Sequence, residues 1–373
     1  MTRRLTLLIG VGALVLPLVA QAAANAPSEA LAERIRDAGR DWLRTNGGVG
    51  LSIGIHDSGE RRFYNFGVTQ LDGNRIPTEH TVYEIGQLSR LFTGQLLARA
   101  VIEGRARLED DVSRHLDEPY PNLENGGERV RLLHLANSTS QLADNIPDLT
   151  QVFPVDGEPL AITYMRVFQQ YSRTEFLRQL HRVMPRFPPG SEPRDSNVAP
   201  MLLGVALEKI YGAPFEDILV REIEKPLRMD SGVAPPASRL ARGYTSANEP
   251  LPPLVAPTQF PSMGLRYSTE DLLTFATWQL LERDASSKLA HRPSWTLADG
   301  RQGVGIYWIV TDSPHGRRLR YTGETFGFAS LCDLYPEEKV AVVLLSNKSA
   351  DGAQEGLRAL SAEIVGLLRP DRR

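Results

Sequence analysis

The 373-residue chain is 42% hydrophobic and 23% charged, with 42 Lys+Arg against 45 Asp+Glu and a formal net charge of -3. This is ordinary globular material, sized for one large domain or two intertwined ones. Without a long basic run or a positive balance, there is no electrostatic case for nucleic acid as a partner.

The chain opens with "MTRR", a 16-residue apolar run from Leu5 to Ala20, and small residues up to Ala24. That is the pattern of a secretory signal cut after Ala22 or Ala24, so residues 1–24 are assigned to it and 25–373 to the mature domain. The alternative is an uncleaved anchor. A span needs about 20 apolar residues, however, and Pro17 interrupts this run. Cleavage removes Arg3 and Arg4 and takes the charge from -3 to -5. The mature product is expected in the periplasm or outside the cell, with no stable membrane span.

Residues 29–48 have helical spacing at Leu31, Ile35, Ala38 and Trp42 and close on Gly47 and Gly48. "VGLSIGIHDSGERRFYNFGV" then alternates through Val49, Leu51, Ile53 and Ile55, and Asp57-Ser58-Gly59 turns it into a hairpin. A helix is expected from about residue 87 to Gly104, followed by a polar connector in which Glu109, Asp110 and Asp111 read as a solvated acidic run. Residues 125–230 are mostly helical in pattern. Residues 234–261 are rich in proline and too long for a simple connector, so packed loops over a surface or cleft are expected. "STEDLLTFATWQLL" restores a helix, with Ser268 as N-cap and Asp271 at its third position. The last hundred residues read as strands, "GVGIYWIVTD", "RRLRYTG", "FGFASLCDLY" and "KVAVVLLSN", before a terminal helix. Strands at both ends with helices between imply an α/β (α+β) chain: one antiparallel sheet closed by both termini, with a mainly helical insertion. The expected division is an α/β part at about 27–85 and 290–373 and a helical part at about 86–289.

The seven histidines (His56, His80, His115, His134, His181, His291 and His315) show no ligand spacing, so neither a metal nor a cofactor is expected. "GLSIG" at 50–54 matches the G-x-S-x-G elbow, but that motif needs a strand turning sharply into a helix, and Ser52 sits inside a hairpin strand. Cys332, the single cysteine, lies in a strand-like run and reads as a buried small hydrophobe. Trp42, Trp278, Trp295 and Trp308 read as core or loop anchors.

Five blocks then occur in a telling order: "VYEIGQLSRLFTGQLLARAVIEGRARLEDDVSRHL", "RVRLLHLANSTSQLAD", "FPPGSEPRDSNVAPMLLGVALEKIYGAPFEDILVREIEKPLRM", "PSMGLRYSTEDLLTFA" and "RYTGETFGFASLCDLYPEEKVAVVLLSN". Together, over about residues 30–368, they resemble the serine beta-lactamase and penicillin-binding-protein superfamily, in its class C-like branch. The resemblance implies a beta-lactamase/transpeptidase-like fold and acyl transfer through a serine ester. A lysine and a tyrosine relay the proton, and two backbone N–H groups hold the oxyanion.

Carried over position by position, the reactive residues are gone. The serine of Ser-x-x-Lys is Gln87, and its lysine is Arg90, whose pKa above about 12 bars it from general-base work. The tyrosine of Tyr-x-Asn is Asp195, and the Lys/His of Lys/His-x-Gly is Tyr321. Asn197, Thr322, Gly323, Gly327 and the backbone amides of Gln87 and Glu324 survive as scaffold. Ser89 lies about 200° around the helix from Gln87 and should face away from the pocket. The resemblance therefore implies a non-catalytic homologue that binds a peptide, a muropeptide, a small acyl ligand or a protein partner. An active hydrolase using an unconventional nucleophile, Ser196 or Ser140, is the alternative. Arg90 and Asp195 are expected to form a charge-assisted pair that replaces the proton relay; independent drift would leave Arg90 reaching solvent.

Overall fold

The computed structural model describes residues 16–154 and 158–371. Most of the expected signal segment lies outside them. Helix α1 runs Leu16–Thr45, and among the described residues no single helix is long and apolar enough to cross a membrane. The frame is an eight-stranded sheet of β1 (Gly50–Asp57), β2 (Glu60–Gly67), β3 (Trp295–Thr296), β4 (Gln302–Val304), β5 (Ile309–Ser313), β6 (Gly316–Glu324), β7 (Ala329–Tyr335) and β8 (Val340–Ser346), in the order β2-β1-β8-β7-β6-β5-β4-β3. Every neighbouring pair is antiparallel, and β1 meets β8 in the register Leu51 opposite Ser346. The two ends of the chain thus close one sheet, as their patterning implies.

Because side chains alternate along a strand, β8 feeds two cores. Val342 and Leu344 join Leu51, Ile53 and Ile55 beneath α1 and the terminal helix, which supplies Leu357, Leu360 and Ile364. Ala341, Val343 and Leu345 face the helical region, where Leu272, Leu273 and Phe275 of the helix Thr269–Leu281 pack on them with Cys332. That helix starts where its sequence says it should, with the Ser268 side chain accepting from Asp271 N–H. Ser52 is a buried β1 residue whose hydroxyl meets Tyr83 Oη at 2.8 Å, so it forms no elbow. Cys332, Trp42 and Trp308 are buried, and Trp295 Nε1 donates to Ser191 O at 2.9 Å. The proline-rich stretch forms packed loops in which Leu254 and Ala256 are buried against Met165 and Phe168.

Two local expectations are corrected. "GVGIYWIVTD" is not one strand: it breaks between Val304 and Ile309, with Tyr307 at φ +62. Long-range bonds hold the break, Ile306 N–H to Ala290 O at 2.8 Å and Tyr307 N–H to Ala136 O at 2.7 Å. The acidic connector is not a solvated run either. Asp110 is buried and accepts from Arg107 N–H at 2.9 Å, and Asp111 caps a short helical turn by accepting from Ser113 N–H.

Candidate functional site

Two glycines bring the site together. Val82–Glu84 pairs with Arg266–Ser268, the chain turns at Gly86 with φ +53, and a short 3-10 turn, Gly86–Leu88, leads into helix α2 (Ser89–Ile102). A Cβ on Gly86 would lie 2.4 Å from Glu324 N, and one on Gly323 would lie 2.0 Å from Ile85 O. Only glycine at both places allows the end of β6 to press on the start of the helix. Ser330 Oγ, donating to Ile85 O at 2.7 Å, ties the same junction from β7.

Gln87 therefore stands over the end of β6, and its Oε1 accepts the Glu324 N–H at 2.7 Å. This corrects the picture of two vacant amides. One of the two backbone donors expected to face an incoming acyl oxygen is already taken by the chain's own carboxamide. Ser89 is fully buried; its hydroxyl donates to Gly86 O at 2.7 Å and accepts from Leu265 N–H at 3.1 Å, away from the cleft.

One turn on from Gln87, Arg90 points the same way and is only 2% exposed. Its Nη1 donates to Asp195 Oδ1 at 2.6 Å and to Tyr321 Oη at 3.2 Å, and its Nη2 donates to Asn197 Oδ1 at 2.8 Å. The expected ion pair is formed, but unequally, because the Asp195 side chain is 73% exposed. Burial alone would lower the pKa of Arg90; Tyr321 and Asp195 more than reverse that, so the guanidinium stays charged. Asn197 is braced in turn, accepting from Ser262 Oγ at 2.9 Å and donating to Asn145 Oδ1 at 2.9 Å. Tyr321, at the position the resemblance gives to Lys/His, presents a neutral ring, its phenol pushed up in pKa by burial although Arg90 opposes this.

Gln87, Arg90, Asp195, Tyr321, Thr322, Gly323 and Glu324 line one cavity of about 320 Å³. Three participants have no signal in the sequence. Tyr307 sits edge-on to Tyr321 at 6.3 Å because of the break before β5. Gln354, from the terminal helix, donates through Nε2 to Gly323 O at 2.5 Å. Ser349 hydrogen-bonds the Glu324 carboxylate. The alternative nucleophiles have structural work instead. Ser196 Oγ donates to Ala143 O at 2.6 Å and accepts from Ala199 N–H at 3.1 Å, while Ser140, 1% exposed, accepts from Leu142 N–H at 3.4 Å. Among the described residues neither serine has a lysine, histidine or carboxylate as hydrogen-bond partner. Nor does any group of three or more His, Cys, Asp or Glu among them form a metal-holding cluster.

A family model described as "Beta-lactamase" matches residues 30–365. The chain is similar to a Pseudomonas fluorescens beta-lactamase, 23% identical over 345 residues that cover 82% of this chain and 90% of the relative. It is also similar to the D-alanyl-D-alanine-carboxypeptidase/endopeptidase AmpH of Escherichia coli K12, 22% identical over 86% of each chain. Among solved structures, a class C beta-lactamase aligns with a TM-score of 0.76 at 20% identity, over 92% of this chain and 98% of that one. A Yersinia pestis beta-lactamase/D-alanine carboxypeptidase complexed with citrate aligns at 0.74 and 21%, over 90% and 99%.

Proposed function

The chain belongs to the beta-lactamase family, and from that premise we propose that it is an exported, non-catalytic member whose inherited cleft binds rather than acylates. One observation carries the reading: Gln87 Oε1 accepts the Glu324 N–H at 2.7 Å, so a carboxamide oxygen occupies a donor that the family's acyl transfer needs free. A carboxamide is no nucleophile, and no base changes that in water. Arg90 beside it is a permanent cation locked by three acceptors, so it takes up no proton. At the positions the resemblance makes reactive, the serine-ester route thus lacks its agents: Gln87 stands for the attacking serine, Arg90 for the proton-accepting lysine, and one of the two oxyanion donors is occupied.

What the cleft retains is hydrogen-bonding capacity on a fixed floor. Relatives named for D-alanyl-D-alanine carboxypeptidase activity make a peptide or muropeptide fragment the ligand class to test first. Export rests on the basic, apolar and small-residue succession of residues 1–24. The test is turnover of nitrocefin and of nitrophenyl esters by purified protein, beside thermal shifts with peptidoglycan fragments. We expect no turnover above buffer and a saturable shift with a fragment. Turnover abolished by mutating a single serine overturns the reading. The variant Gln87→Ser, Arg90→Lys, Asp195→Tyr asks whether the frame still supports acylation.

A further inference from the structure

The charged groups lining the cleft are two carboxylates, Asp195 and Glu324, against one guanidinium, Arg90. Their exposure is unequal. Arg90 is 2% exposed and spends both terminal nitrogens on Asp195, Tyr321 and Asn197, so its charge is met inside the floor and not offered to a ligand. Tyr321, at the position the resemblance gives to Lys/His, adds a neutral phenol.

The carboxylates are placed the other way. Asp195 is 73% exposed and gives only Oδ1 to Arg90. Glu324 is half-buried at the end of β6. Ser349 Oγ donates to its Oε1, while its Oε2 has no partner among the described residues and is not buried. No Lys, Arg or His among those residues lies within ion-pair distance of Glu324. Gln87 supplies a donor beside it. Because the Glu324 N–H needs an acceptor, Oε1 of the carboxamide is held there at 2.7 Å and Nε2 is turned away from it. That Nε2 also has no partner among the described residues and is not buried. An accessible N–H donor and an accessible carboxylate thus come from two residues joined by one hydrogen bond.

We propose that the cleft takes the amino end of a peptide, its ammonium on the Glu324 carboxylate within the field of Asp195 and its first carbonyl oxygen accepting from Gln87 Nε2. The assignment rests on the reading of the cleft as a binding site and names the end of the ligand that the site selects. An ammonium on a carboxylate makes a charge-assisted hydrogen bond, roughly twice as strong as a neutral one. A terminal carboxylate in the same place would meet two like charges and no accessible cation.

Three probes of matched size separate charge from shape: D-alanyl-D-alaninamide as the cation, N-acetyl-D-alanyl-D-alaninamide as the neutral form and N-acetyl-D-alanyl-D-alanine as the anion. Each is titrated into the full chain by calorimetry at about pH 6.5, where an α-amino group is charged. We expect the cation to bind about tenfold tighter than the neutral form, the anion to bind weakest, and added salt to weaken the cation alone. Glu324→Gln keeps the side chain's size and its acceptor for Ser349; it should weaken the cation about tenfold and leave the neutral form unchanged. Neutral or anionic probe binding as tightly as the cation, or undiminished cation affinity in Glu324→Gln, overturns this inference and leaves the cleft a binding site. Absence of binding by all three overturns both. The comparison of probes on the wild type decides the matter even if Glu324→Gln does not fold.

Discussion

Arg90 and Arg320 each hold a carboxylate, and the β6 strand separates them. Arg320 faces the terminal-helix side, opposite Asp333 in the ladder, and bonds it through Nε at 2.8 Å and through Nη2. Asp333 is fully buried and also accepts from Ser361 Oγ at 2.7 Å. The next residue, Tyr321, faces the other way, towards Arg90. There the exposure is reversed, with a buried arginine and a carboxylate in water. The first pair is a closed structural tie in which either partner alone would be a stranded charge. In the second, neutral acceptors on Tyr321 and Asn197 fix the guanidinium, and Asp195 caps it from the solvent side. One is built to hold the sheet; the other leaves a polar floor open to a cavity.

That contrast can be broken by stability measurements. Asp333→Ala strands Arg320 and should cost about 3–5 kcal/mol in denaturant unfolding. Glu224 extends the comparison to a buried carboxylate that has no paired cation among the described residues. Burial raises its pKa to about 7, although Tyr267 Oη, donating at 2.7 Å, opposes the shift. A carboxyl raised in the folded state is protonated and uncostly below its unfolded value near 4.5, and stability is lost as pH rises through 7. Glu224→Gln should therefore remove a fall of at most about 3 kcal/mol between pH 5 and 8, read from unfolding curves at the two pH values.

Arg90→Met leaves only neutral groups and a solvated Asp195 behind, so a loss of about 1–3 kcal/mol is expected, below that of Asp333→Ala. Asp195→Ala leaves the buried Arg90 with only its neutral acceptors on Tyr321 and Asn197, so a loss of about 1–2 kcal/mol is expected, below that of Asp333→Ala. Equal losses for Asp195→Ala and Asp333→Ala would erase the distinction between the two sites.

Much of this was legible before any coordinates. The alternation of β1, the strand-like run that forms β8 and the Ser268 cap follow from local chemistry, while Gly323 came with the family resemblance, and the structure has them. The Arg90–Asp195 contact was also inferred from coordinated substitution, but its asymmetry was not. A charge exchange that looks symmetric in sequence would put a short aspartate at a 2% exposed position, so the double swap should not restore stability. Tyr307 was unreadable because an apolar run with strand spacing is broken by two tertiary backbone bonds. The occupation of the Glu324 amide by Gln87 joins residues 237 positions apart, and no local pattern specifies which way a glutamine side chain will turn.

The central claim is that this cleft forms no acyl-enzyme, and intact-protein mass spectrometry tests it most directly. Purified protein would be incubated with excess benzylpenicillin and, separately, with a fluorophosphonate, then weighed. The account predicts an unchanged mass in both samples over hours. A stoichiometric adduct mapped by peptide digestion to any serine of the chain would contradict it.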